Sequence, residues 1–126
     1  MNAVERIEAA ITKLEALKSE SIQGLWRSAE LSGSHWLVFA ATDGSGGGES
    51  VAAITSNDGD NESSREPTAE LIVTLHRTID AQLAILRAVV ESVPIWVEND
   101  GPMTDAELVD NLLFELALAD AILGES

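Results

Sequence analysis

From Thr68 to about Val93 the chain carries one sustained apolar pattern, and this stretch limits the architecture more than any other. Leu71, Leu75, Ile79, Leu83, Leu86 and Val90 recur at steps of four and three, the spacing of one helical face. Ile72, Val73, Ile85 and Val89 widen the stripe beyond that face. The pattern predicts a helix about 35 Å long. It should be buried on more than one side, in a core or against a neighbouring chain. Such a helix organises a fold and names no chemistry.

The flanking segments predict what packs on it. Asn2 and Glu5 stand in capping-box positions for a first helix over 2–19, with an apolar stripe of Val4, Ile7, Ile11, Leu14 and Leu17. Leu25–Leu31 and His35–Ala41 read as strands around a Ser32-Gly33-Ser34 turn. The second of these is apolar from Trp36 to Ala40, so it should be the central strand, covered on both faces. The glycine-rich stretch Asp43–Glu49 reads as a connection to a third strand from Val51 to Ser56, which closes a meander over 25–56. Residues 57–67 are polar, Gly or Pro, and read as a flexible loop before the 68–93 helix. Pro94 should end that helix. Thr104 and Glu107 repeat the capping-box pattern ahead of a strongly apolar last helix over 104–123, with Gly124 as its stop. The expected fold is a single α+β domain spanning 1–126: a three-stranded antiparallel meander with an N-terminal, a long central and a C-terminal helix packed on it.

Composition excludes whole classes of function. A chain of 126 residues suits one domain. Without cysteine there are no disulfides, thiolate metal sites or cysteine nucleophiles. The start, Met1-Asn2-Ala3-Val4-Glu5-Arg6, lacks the basic-then-apolar signature of a signal peptide, and no apolar run is long enough to cross a bilayer. A soluble cytoplasmic protein is expected. With 22 acidic against 7 basic residues the formal net charge is −15. That balance opposes direct binding to nucleic acid or to an anionic membrane, and favours solubility or a basic partner. The apolar excess over 68–93 and 108–123 predicts self-association, a dimer above all.

Candidate sites are few. His76 and Asp80 stand four apart with Arg77 beside them, the spacing at which a carboxylate can orient an imidazole base. The plainer reading is a helix-surface ion pair or a polar seam in an oligomer, since nothing in the sequence completes a catalytic set. Asp58-Gly59-Asp60-Asn61-Glu62 lacks the ligand alternation of an EF-hand loop, and Gly44–Gly48 lacks the Lys and Ser/Thr of a P-loop; no metal or cofactor is expected. Trp26, Trp36 and Trp96 make up most of the aromatic content. Two of them on neighbouring strands could wall a pocket for a planar ligand with Arg27 or His35 at its edge, although tryptophans at a sheet–helix contact more often fill core. The binding candidates are therefore Trp26, Arg27, His35, His76, Arg77, Asp80 and Trp96.

Two segments carry a resemblance. A helix holding Leu14-Glu15-Ala16-Leu17 leads into Ser21-Ile22-Gln23-Gly24-Leu25-Trp26, and a short β region is followed by Ala69-Glu70-Leu71-Ile72-Val73-Thr74-Leu75. This resembles small phage proteins of the Ead-like type, with a helix, a Pro-Gly-Pro-Trp-like turn, a meander and an acidic-apolar helix. Leu75–Leu86 is also similar to small proteins of phages infecting actinobacteria. The likeness spans about residues 10–90, and Gln23 and Leu25 stand where the family pattern has prolines. It implies an accessory role in a phage, in host takeover or evasion of host defence, and supplies no catalytic residues. The expectation is a non-enzymatic protein that binds a host protein or sequesters a small signalling ligand. The alternatives are an acidic mimic of nucleic acid that occupies a basic host surface, and, behind it, a small hydrolase.

Overall fold

The computed structural model describes residues 1–31, 35–41, 48–54 and 62–124. The chain is α+β, as expected. It forms two compact units, one made of Met1–Lys18 with Ile79–Ser126, the other of Ser19–Thr78.

The helical unit contains α1 (Ala3–Glu20) up to Lys18, together with α3 (Ile79–Asp100), α4 (Asp105–Asn111) and α5 (Leu113–Leu123). Its N-terminal cap forms as the sequence requires: the Glu5 N–H donates to Asn2 Oδ1 at 2.8 Å, and the Asn2 N–H reaches Glu5 Oε1 at 3.5 Å. Ala3, Ile7 and Ala10 from α1 meet Leu86, Val89 and Val93 from α3 and Leu108, Leu112, Leu116 and Ala119 from α4 and α5 in one core. Polar contacts tie the same helices. The Ala3 N–H donates to Asp105 Oδ1 at 2.7 Å, Arg6 grips Asp120 with two donors, Arg87 pairs with Glu15, and Lys18 pairs with Asp80.

Two boundaries here correct the expectation. Pro94 does not end the long helix, which runs on to Asp100. Proline removes one backbone bond at a cost of about 3 kcal/mol, and the burial of Val93 together with the packing of Trp96 on the core opposes that cost. The stop comes at Gly101, where φ is 87° and the N–H closes on the Val97 carbonyl at 2.9 Å, with Pro102 following. The C-terminal helix is likewise divided at Leu112, whose N–H still bonds the Leu108 carbonyl at 2.9 Å. Thr104 caps α4 by accepting the Glu107 N–H at 3.2 Å, and Gly124 ends α5 with φ at 79°.

In the other unit, β1 (Leu25–Leu31), β2 (His35–Ala41) and β3 (Gly48–Ile54) form an antiparallel sheet in the order β1-β2-β3, with α2 (Glu62–Arg77) against it. The third strand thus starts earlier than the Val51 expected. A register shift at Val38/Phe39 leaves Val51 as the extra residue opposite them. Cross-strand partners share a face, so Trp26, Ser28, Trp36, Val38, Ala40, Ala52 and Ile54 point one way. Val38 packs there with Ala69 and Val73 of α2, and Trp26, Trp36, Val51, Ala52, Ile54 and Ile72 close around them. Within this unit α2 covers one face, and Leu37 and Phe39 on the opposite one keep part of their surface exposed. Among the described residues of this unit the double cover expected for β2 is not seen.

Helix α2 corrects the reading of both the loop and the long stripe. Residues 62–67, assigned to the flexible loop, are helical with Pro67 inside the helix, while 57–61 lie outside the described residues. The helical stretch is then interrupted at Thr78, whose N–H and Oγ1 both donate to the Leu75 carbonyl, at 3.1 and 2.7 Å. The face α2 buries is Arg65, Ala69 and Val73, whereas Leu71 and Leu75 are exposed. Ala69 and Val73, with Ile72 beside them, meet Val38 and the two indoles of the sheet, and the leucines of the expected stripe face outward.

Candidate functional site

The structure scatters the residues singled out in the sequence. Trp26 is half-buried and stacks flat on His76, with ring centroids 3.7 Å apart and planes 2° from parallel. Its Nε1–H donates to the Ile22 carbonyl at 2.9 Å, so both the ring face and the polar edge are engaged. Trp36 lies on the same sheet face, but Trp26 pairs with Ala40, four residues along β2 from Trp36. At a strand rise of about 3.3 Å per residue the two indoles are about 13 Å apart along the strand, with Val38 between them. Arg27 and His35 lie on the opposite face, since they pair with Phe39 and Leu31. The pocket walled by two tryptophans and edged by Arg27 or His35 therefore does not form, and both indoles pack against the small apolar core under α2.

His76 closes α2 and Asp80 opens α3, so the unbroken helix required by their spacing is interrupted at Thr78 between them. Asp80 takes Lys18 as a partner. Arg77 is exposed at the end of α2, and His35 is half-buried with its Nδ1 enclosed and without a hydrogen bond. Among the described residues no three His, Asp or Glu side chains are grouped to hold a metal ion. The Ser32–Ser34 turn, Gly44–Gly47 and Asp58–Asn61 lie outside the described residues.

Trp96 is the candidate that reaches open space. It packs on the helical core and also lines two neighbouring hollows. One, of about 330 Å³, is bounded by Asp100, Met103 and Asn111. The other is a shallow cleft of about 270 Å³ between α3 and α5, lined by Ile85, Ala88, Val89, Ser92 and Trp96 on one side and Glu115 on the other. Ile85, Ala88, Ser92 and Ile95 follow one another at steps of three and four, so α3 turns an uncharged stripe toward this opening. Ile85 is 49% exposed and Ile95 55%.

Helix α5 continues the apolar character. Its sequence, LFELALADAIL, is apolar on nearly every side, with Asp120 held by Arg6. Leu116 and Ala119 point into the core while Leu113, Phe114, Ala117 and Ala121 remain in solvent, Phe114 with 86% of its surface exposed. A helix apolar all round is normally enclosed all round. One side of α5 is enclosed and the other is not.

The sequence carried two signals for this surface beyond the strength of the apolar pattern over 108–123. One is the absence of an alternation between apolar and polar residues over 113–123. The other is charge: Arg87 is the last Lys, Arg or His in the chain, while acids continue from Glu91 to the end.

No helix among the described residues is long and apolar enough to cross a membrane. No family model, curated protein or solved structure matches the chain.

Proposed function

We propose that this chain is a non-enzymatic accessory protein that acts by binding a partner on the apolar surface of α3 and α5. The observation that carries the reading is Phe114, almost fully exposed on a helix that is apolar nearly all round. Single exposed apolar residues are ordinary on protein surfaces; Phe114 sits in one unit with exposed Leu113, Ile85 and Ile95 and a cleft whose floor includes Trp96. Aromatic anchors beside an apolar groove supply much of the energy of protein–protein contacts. The hollows are shallow, which favours a macromolecular partner over an enclosed small ligand.

The setting follows from the resemblance to Ead-like phage proteins: a role in host takeover or evasion of host defence, exercised in the cytoplasm of the bacterial host. A second copy of the chain is the competing occupant of the same surface. The alternative of an acidic mimic of nucleic acid draws on the acidic stretch after Arg87 and gives Phe114 no part. Native mass spectrometry on protein recovered from its natural host separates them. The expected result is a complex with one host protein that Phe114→Ser abolishes. A complex that survives Phe114→Ser and dissolves in moderate salt would favour the mimic. A copurified small molecule with no protein partner would overturn the reading.

A further inference from the structure

We infer that the cleft between α3 and α5 seats a cationic amphipathic helix of the partner protein, with its apolar side in the cleft and its Lys or Arg side chains along the rim. This inference rests on the binding reading above and names the chemistry of what binds.

Shape supplies the first part of the argument. α1, α3 and α5 pack on one another and leave the α3–α5 side open. The uncharged stripe from Ile85 to Ile95 covers ten residue steps, about 15 Å of helix, or close to three turns. An opening of that length beside two helices fits a further helix packed by its ridges, the mode in which amphipathic segments are held in apolar grooves. Trp96 lines the cleft as an aromatic anchor for it, and Phe114 is exposed on the same helix as Glu115. The residues outside the described ones, 32–34, 42–47, 55–61 and 125–126, include no apolar side chain that could fill it.

Charge selects the partner. Glu115 lines the cleft itself and Asp100 stands beside Trp96. Glu91, by contrast, belongs to a separate hollow between α1 and α3, beside Arg87. Among the described residues no Lys, Arg or His lines either hollow beside Glu115 and Asp100, and the chain has no basic residue after Arg87. In a two-fold contact of this cleft with itself, Glu115 and Asp100 would meet the same acids with nothing to neutralise them, and a nucleic acid or an anionic membrane would be repelled. A helix with Leu-like residues on one side and Lys or Arg on the other satisfies both the apolar stripe and the acids.

The probe is a synthetic amphipathic helix of Leu and Lys about twelve residues long, enough for three turns. It is compared with a scrambled peptide of the same composition and with a Leu/Glu counterpart, by titration calorimetry on the full chain. The Leu/Lys helix should bind at least tenfold tighter than the scrambled peptide and weaken as salt rises, and the Leu/Glu helix should not bind. Ile85→Ser with Phe114→Ser should weaken binding tenfold or more with an unchanged thermal melt, since both side chains are exposed. Glu115→Gln, which keeps the shape, should weaken it severalfold. Equal affinity for the scrambled peptide, or undiminished binding by the double serine variant, would overturn the inference. So would a wild-type dimer that Phe114→Ser converts to monomer, because the cleft would then belong to a second copy. If the peptide fails while Phe114→Ser still abolishes a complex with a host protein, only the cationic-helix assignment falls and the binding reading stands.

Discussion

Trp26 shows how a residue that looks like a ligand platform becomes structural. Its ring lies on His76, its indole N–H is held by the Ile22 carbonyl, and its remaining surface joins the core under α2. Trp36, at the far end of the same face, is also half-buried. Removing a large aromatic from a full core costs about 3–5 kcal/mol, so these half-buried rings should each cost about 2–4 kcal/mol on replacement by alanine. Trp26→Phe should recover much of its loss by keeping a ring against His76. Denaturant melts check this; a Trp26→Ala protein as stable as wild type would mean that the stack contributes nothing. The sequence placed Trp26 and Trp36 on neighbouring strands correctly. It could not show that Arg27 and His35 would point the other way, because that depends on the cross-strand register, which a slip of one residue would reverse.

At the scale of elements, helix ends written in local chemistry were legible and those decided by tertiary packing were not. Asn2 with Glu5, Thr104 with Glu107, and Gly124 all act at the places their residue types indicate. Thr104→Ala should therefore cost about 1 kcal/mol in a thermal or denaturant melt. Gly101→Ala should cost about 1–2 kcal/mol through backbone strain alone, as φ is positive and nothing crowds the added methyl. If Gly101→Ala proved neutral, the left-handed stop at the end of α3 would not matter to stability. Pro94 misleads because a proline's local cost is opposed by the packing of Val93 and Trp96. The stripe through Leu71 and Leu75 misleads for a related reason: periodicity marks a face, but the side of α2 that packs on the sheet is that of Ala69 and Val73. Arg6 and Asp120 join α1 to α5 through two hydrogen bonds, with each side chain about three-quarters buried. A double-mutant cycle with Arg6→Met and Asp120→Asn should return a coupling of about 1 kcal/mol, reduced in high salt; zero coupling would make the pair incidental to the packing of α5.

The whole molecule consists of a small sheet capped by one helix and a helical unit that keeps apolar side chains exposed on α3 and α5. The excess of apolar residues over 68–93 and 108–123 leads to the expectation of self-association; which apolar side chains stay outside the core is not legible in it. Phe114 and Ile85 went unselected because their significance depends on which helical faces the core uses first. The central claim is that the working surface is the α3–α5 side of the helical unit. Hydrogen exchange on the complex recovered from the natural host, compared with the free protein, tests it directly. The expected result is slowed exchange in the segments holding Ile85–Trp96 and Leu113–Ala121, with the strands Leu25–Leu31 and His35–Ala41 unchanged. Protection confined to those strands and α2, with α3 and α5 exchanging as in the free protein, would contradict it.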